Sequence, residues 1–241
     1  MSKTRHGRRL RRRTYAFWAS DWSLTVLLLL LLANIFALPV FEMSESLGRI
    51  IVRAVFAAII ISGLIATVQN IRLIALGSAL ALSALFLGWV GAAHPSMWLY
   101  LLNDVIALLV LGLLFVMIVR QVFREGPITI RRVRGAVAVY LLIGIAWAVA
   151  YDLIDAVNPG AFSRGADVHH TNLGLHIYYS FTTLTTLGLG DVLPVSPLAR
   201  SLTLLEALVG QLFPAILIAR LVAMEVTYRQ ARTGRERGDR E

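Results

Sequence analysis

Cysteine is absent from this chain of 241 residues, so disulfide bridges, thiolate metal sites and cysteine nucleophiles are excluded, and the redox compartment is left open. Lysine occurs once, at Lys3, and arginine carries the remaining basic charge. That usage fits a GC-rich bacterial genome, and with it a bacterial inner (plasma) membrane. Charge of either sign is scarce: 15% of residues are charged against 58% hydrophobic, too apolar a balance for one soluble core, and lipid must be the solvent for most of the chain. No zinc-protease His-Glu-x-x-His, Gly-x-Ser-x-Gly elbow or phosphate-binding loop is present, so an enzyme is not expected, nor any resident cofactor. The net charge of +9 comes from arginines crowded at the two termini and in one internal loop. Such crowding marks cytoplasmic flanks and not a nucleic-acid-binding face.

What is present is a series of long apolar runs. Stretches 23–40, 50–68, 71–90, 97–119 and 135–154 approach or reach the ~20 residues that a membrane-spanning helix needs, and a sixth runs from 197 to 224. Between the fifth and sixth lies a shorter apolar segment, Leu173 to Leu184, followed by Leu187-Gly188-Leu189-Gly190. Charge decides whether this segment crosses. The N-terminus (Lys3, Arg5, Arg8, Arg9, Arg11, Arg12, Arg13), the loop with Arg120, Arg124, Arg131, Arg132 and Arg134, and the tail with Arg229, Arg232, Arg235, Arg237 and Arg240 are all expected to be cytoplasmic. Only an even number of crossings satisfies each pair, so the segment 173–191 enters and leaves on the outer face. Lipid cannot satisfy non-helical backbone, which makes a glycine-rich re-entrant loop a pore candidate. The basic, then apolar N-terminus also has the form of a secretory signal, but its apolar run is long and no small-x-small cleavage site follows.

The segment Tyr178-Tyr179-Ser180-Phe181-Thr182-Thr183-Leu184-Thr185-Thr186-Leu187-Gly188-Leu189-Gly190-Asp191 resembles the pore helix and selectivity filter of the potassium channel family. The resemblance implies a pore helix bearing Tyr178, Tyr179, Thr182 and Thr185. It also implies K+ bound at Thr186, Leu187, Gly188 and Leu189, in a filter that closes with Gly190. Glycines at alternate positions can take positive φ, which lets successive carbonyls turn toward one axis and replace an ion's hydration shell. The helix dipole directs its negative end at the cavity below, and Asp191 repeated around the mouth concentrates cations. One loop cannot surround an ion, so a homotetramer is implied.

The last span, 205–222, is similar to the inner helix of bacterial potassium channels, with Gly210 at the position of the family's hinge glycine. Ala207, Gln211, Pro214 and Ile218 share one helical face and are expected to line the cavity, Gln211 as its polar residue. Pro214 removes a backbone hydrogen bond and is either a second hinge or a static kink. Two positions depart from the family pattern. Leu189 stands where an aromatic residue usually braces the filter, as leucine does in the second pore loop of two-pore-domain members. Thr182 stands where some bacterial relatives carry a glutamate paired with the mouth aspartate.

Six spans with the loop between the last two is the voltage-gated layout, yet Tyr100 to Val119 contains no basic residue, whereas a sensor needs about 3 to 4 per subunit. Voltage dependence from this region is not expected. Arg53 and Asp104 fall at similar depth and are expected to form a structural ion pair. Glu206 is expected behind the filter or at a subunit contact, or equally as a structural hydrogen-bonding residue. His169, His170 and His176 in the external linker form a candidate metal or pH site, set against ordinary solvated loop histidines.

The expected protein is thus an all-α, multi-pass membrane protein of six transmembrane helices. Residues 1–22 form a basic tail, 23–123 a four-span domain, 124–134 a cytoplasmic linker, 135–226 the pore domain (inner helix 197–226) and 227–241 a second basic tail able to meet anionic lipid. The function expected is potassium conduction. The alternatives are a weakly selective cation channel and a non-conducting scaffold or sensor with a pore-like fold.

Overall fold

The computed structural model describes residues 24–36, 57–60, 62–63, 71–94, 96–123, 129–164 and 173–238. The tail 1–22, Arg53, the linker residues 124–128, and His169 and His170 lie outside the described residues. The chain divides into two compact units, Met1–Met117 and Ile118–Glu241.

In the first unit, helix α1 (Leu24–Phe36) buries Leu24, Leu27 and Leu31, a spacing that puts all three on one face. Further along, Ile59 and Ile60 are buried, and a Cβ added to Gly63 would lie 2.7 Å from Leu114 Cδ2, so the absence of a side chain lets two helices meet there. Helix α2 (Ile71–Ala93) keeps Ala81 and Ala84 inward and leaves Leu82, Phe86 and Trp89 exposed. Helix α3 (Met97–Val122) buries Ala107, Val110, Leu111, Leu114 and Met117. Its basic residue is Arg120 in the last turn, so no arginine ladder lies within it. Asp104 is buried on α3.

The second unit carries helix α4 (Ile130–Val157), strand β1 (Phe162–Arg164), helix α5 (Leu173–Leu184), strand β2 (Val192–Pro194) and helix α6 (Pro197–Gly238). Among the described residues, Met97–Val122, Ile130–Val157 and Pro197–Val226 are long and apolar enough to cross a membrane. Helix α5, with 12 residues, is too short to cross, as a re-entrant element must be. Both long helices extend beyond their apolar runs: α4 begins at Ile130 and takes in Arg131, Arg132 and Arg134, while α6 continues through the charged residues to Gly238. Arginine is a good helix former, and after Pro127 nothing interrupts the helical backbone.

The ends of the re-entrant segment are tied together by a two-stranded antiparallel ribbon that pairs Phe162 with Pro194, Ser163 with Leu193 and Arg164 with Val192. Beneath it sits an aromatic core. Tyr151 of α4, Phe162 of β1 and Tyr179 of α5 meet edge to face, with centroid separations of 5.2 to 5.4 Å, the geometry that ring quadrupoles favour. Trp147 stacks on Tyr151, and Val192 and Ala199 close the cluster. The core fixes the short helix against α4 and thereby positions the loop that follows.

Candidate functional site

Helix α5 stops at Leu184 because the chain turns back on its own last carbonyls. Thr185 N–H donates to Phe181 O, Thr186 N–H to Thr183 O, and Gly188 N–H to Thr182 O at 3.0 Å. Side-chain hydroxyls reinforce the turn, with Thr182 Oγ1 donating to Tyr179 O and Thr185 Oγ1 to Phe181 O. The loop then enters the left-handed region at every second residue: φ is 59° at Thr186, 52° at Gly188 and 80° at Gly190. Positive φ at every second residue is the pattern that lets successive carbonyls turn to one side. Two of the three positions are glycine, which accepts this backbone without steric cost. The third, Thr186, is a strained non-glycine residue of the kind that clusters at functional sites.

The far end of the loop is held by Tyr178, whose hydroxyl donates to Asp191 Oδ2 over 2.7 Å, while Asp191 Oδ1 accepts from the Val192 N–H. The hydrogen bond to Asp191, with a smaller contribution from burial, pushes the Tyr178 phenol up to about 12. Thr182, one turn further along α5, donates to Tyr179 O and not to Asp191. The longer Tyr178, four residues earlier on the same face, contacts the aspartate instead. Tyr179 points the other way and donates to Thr203 Oγ1 on α6 at 2.7 Å, since the threonine hydroxyl is already donated to Ala199 O.

Below the loop, α6 passes directly under the end of α5. A Cβ at Gly210 would collide with the Leu184 carbonyl oxygen, so glycine is required here for close approach of two backbones. The same carbonyl accepts a hydrogen bond from Tyr140 Oη at 3.2 Å, and Tyr140 stacks on Phe213 one turn below Gly210. Gln211 reaches up from α6, its Nε2 donating to Thr186 Oγ1 at 3.2 Å, which joins the expected polar cavity residue to the innermost threonine of the loop. Pro214 lies inside a helix that continues on both sides, and Ile218 is exposed. Leu187 and Leu189 are also exposed in the single protomer.

Two polar clusters were not legible in the sequence as clusters. His176, expected in the external linker, is instead fully buried in the first turns of α5, with Nδ1 3.0 Å from Asp152 Oδ1 and Nε2 3.6 Å from Asp155 Oδ2. Asp152 and Asp155 stand three apart near the end of α4, a spacing that shares one helical face and was the available signal. Among the described residues no group of histidine and acidic side chains has the geometry to hold a metal ion. The second cluster joins Glu206 of α6 to Tyr151 and Ser180, residues 55 and 26 positions away, a separation that no local pattern reports.

Compared with known proteins, residues 136–226 match the family model described as ion channel. Over 94 residues, 37% of this chain, the sequence is 32% identical to the inward rectifier potassium channel Kirbac3.1 of Paramagnetospirillum magnetotacticum. The match spans 27% of that relative's length. No solved structure matches significantly.

Proposed function

Because residues 136–226 match the ion channel family model and are similar in sequence to a potassium channel, we propose that the chain is one subunit of a homotetrameric, potassium-selective channel. It is not an enzyme. Conduction is passive, through a four-fold filter in which the carbonyls of Thr186, Leu187, Gly188 and Leu189 replace the hydration shell of K+. The observation that carries this reading is the alternation of positive φ at Thr186, Gly188 and Gly190, held by hydrogen bonds to the end of a helix too short to cross the bilayer. Asp191 concentrates cations at the outer mouth, and Gln211 lines the cavity beneath the filter. Exposure of Leu187 and Leu189 in one protomer fits side chains that neighbouring subunits cover.

The lack of arginine between Tyr100 and Val119 supports a channel whose first four spans do not sense voltage. Both termini face the cytoplasm of a bacterial cell, where their arginines meet anionic lipid. One feature favours a second reading, a weakly selective cation channel. Leu189 has no polar group with which to brace the filter, so its hold on the ring diameter depends on packing alone.

Purified protein in liposomes under opposed K+ and Na+ gradients distinguishes the readings. A reversal potential near that of K+, abolished by Gly188→Ala, supports the selective channel. A reversal near zero with intact current supports the weakly selective one. No current at any voltage or pH overturns both.

A further inference from the structure

Glu206 is a buried acid that neither the filter nor the cavity uses. It lies in α6 one turn before Gly210, with no exposure to solvent, and among the described residues no basic side chain forms an ion pair with it. The titratable groups within its electrostatic reach are the phenols of Tyr140 and Tyr151 from α4 and Tyr179 from α5. Its two oxygens reach two different helices. Tyr151 Oη donates to Oε2 at 2.6 Å, and Ser180 Oγ lies 2.5 Å from Oε1. The same Ser180 Oγ lies 2.7 Å from the Gly144 carbonyl of α4.

Counting protons decides what this arrangement contains. A serine hydroxyl has one hydrogen, and here it faces two oxygens at hydrogen-bond distance. The Gly144 carbonyl can only accept. If Ser180 donates to it, the contact with Oε1 needs a hydrogen from the carboxyl. If Ser180 donates to a carboxylate instead, the serine and carbonyl oxygens face each other at 2.7 Å with no proton between them. Only a protonated carboxyl places a hydrogen in every contact, in the chain Glu206 to Ser180 to Gly144, with Tyr151 closing the other oxygen. An ionised carboxylate would in addition be buried without a cation, which is costly.

We infer that Glu206 is a positioning residue: a neutral carboxylic acid that donates to Ser180, accepts from Tyr151, and so locks the helix behind the filter to the helices on either side of it. Glycine at 144 is what lets α5 come this close, since a Cβ there would lie 2.5 Å from Phe181 Cζ. The consequence for conduction rests on the channel reading, whereas the proton count does not.

The test uses the full chain in lipid, with the infrared spectrum and thermal midpoint read beside K+ flux. At neutral pH the wild type is expected to show the carbonyl stretch of a protonated carboxylic acid, absent from Glu206→Gln and moved to higher frequency in Ser180→Ala. Glu206→Gln keeps a donor and an acceptor, so its midpoint and flux are expected to stay within about threefold of wild type. Glu206→Ala leaves buried hydroxyls without partners and is expected to lose about tenfold or more. A wild-type spectrum without the acid band overturns the inference, as does a glutamine variant as impaired as the alanine one. An intact band and midpoint pattern with no flux from any protein would sink the channel reading and leave the brace supported.

Discussion

The hydroxyl of Tyr178 donates to the carboxylate of Asp191 across 2.7 Å, joining the short helix α5 to the residue that follows the glycine loop. This contact replaces the glutamate–aspartate pair expected from some bacterial relatives, and it differs in chemistry because a phenol donates without having to be protonated from an acid. Tyr178→Phe removes the donor and leaves the ring. We expect the conducting state to shorten in lifetime by about fivefold, as for a partly exposed hydrogen bond worth about 1 kcal/mol, read from single-channel open times.

The pH dependence of that contact follows from the same geometry. The phenol is raised to about 12, above its ordinary value of 10.0, because the folded state favours its neutral form. Its contribution is therefore fully present below pH 10.0 and is lost as pH rises toward about 12. An ultraviolet titration of Tyr178→Phe against wild type should show one tyrosine fewer ionising in the highest part of the curve. Loss from the ordinary range instead would mean that the hydrogen bond is not made.

Gly210 is expected to behave as a packing residue. Alanine there meets the Leu184 carbonyl, so Gly210→Ala should destabilise the fold by about 1–3 kcal/mol or more through overpacking. The check is the thermal midpoint and tetramer yield. A well-folded alanine variant with altered open probability alone would restore the hinge role. Pro214→Ala has no such clash to create and is expected to fold normally.

His176→Ala removes the imidazole shared by Asp152 and Asp155 in a site with no solvent exposure. A loss of about 3–5 kcal/mol is expected, as when one partner of a buried pair is deleted. Added Zn2+ should change the flux of wild type and of a folded His176→Gln variant equally. Zinc inhibition abolished by His176→Gln would show that the imidazole is reached from outside.

At the other end of α6, the Arg220 guanidinium lies 4.2 Å from the centroid of the Phe123 ring, just beyond the end of α3. Both residues lie in the second unit, where the pair ties its first residues to the C-terminal half of α6. A double-mutant cycle with Phe123→Ala and Arg220→Gln should return a coupling of about 0.5–2 kcal/mol in the thermal midpoint or open probability. Additive effects would mean that the pair is not formed in the bilayer.

Elements that obey local rules were legible from residues alone. Apolar runs defined α3, α4 and α6, and Gly188 and Gly190 at alternate positions announced the backbone later seen at 52° and 80°. Gln211 was expected in a cavity from its helical face and from the resemblance that puts Gly210 at a hinge, and its amide meets the Thr186 hydroxyl. Helices α4 and α6 run past their apolar stretches into arginine-rich residues, because a fall in hydrophobicity ends a membrane span and not a helix, which arginine continues readily.

What the sequence by itself determined is the chemistry available at each point along the chain: where lipid is required, where the backbone can turn left-handed, and where an apolar helix carries no basic residue. Apolar periodicity and glycine placement act over a few residues, so they can be read without knowing the fold. Only the tertiary structure decided which side chains meet across helices. It set Tyr178 on Asp191, His176 between two aspartates, Gly210 under a carbonyl, and Glu206 between Tyr151 and Ser180. Those contacts depend on the rotation and depth of whole helices, which many weak packing interactions set together.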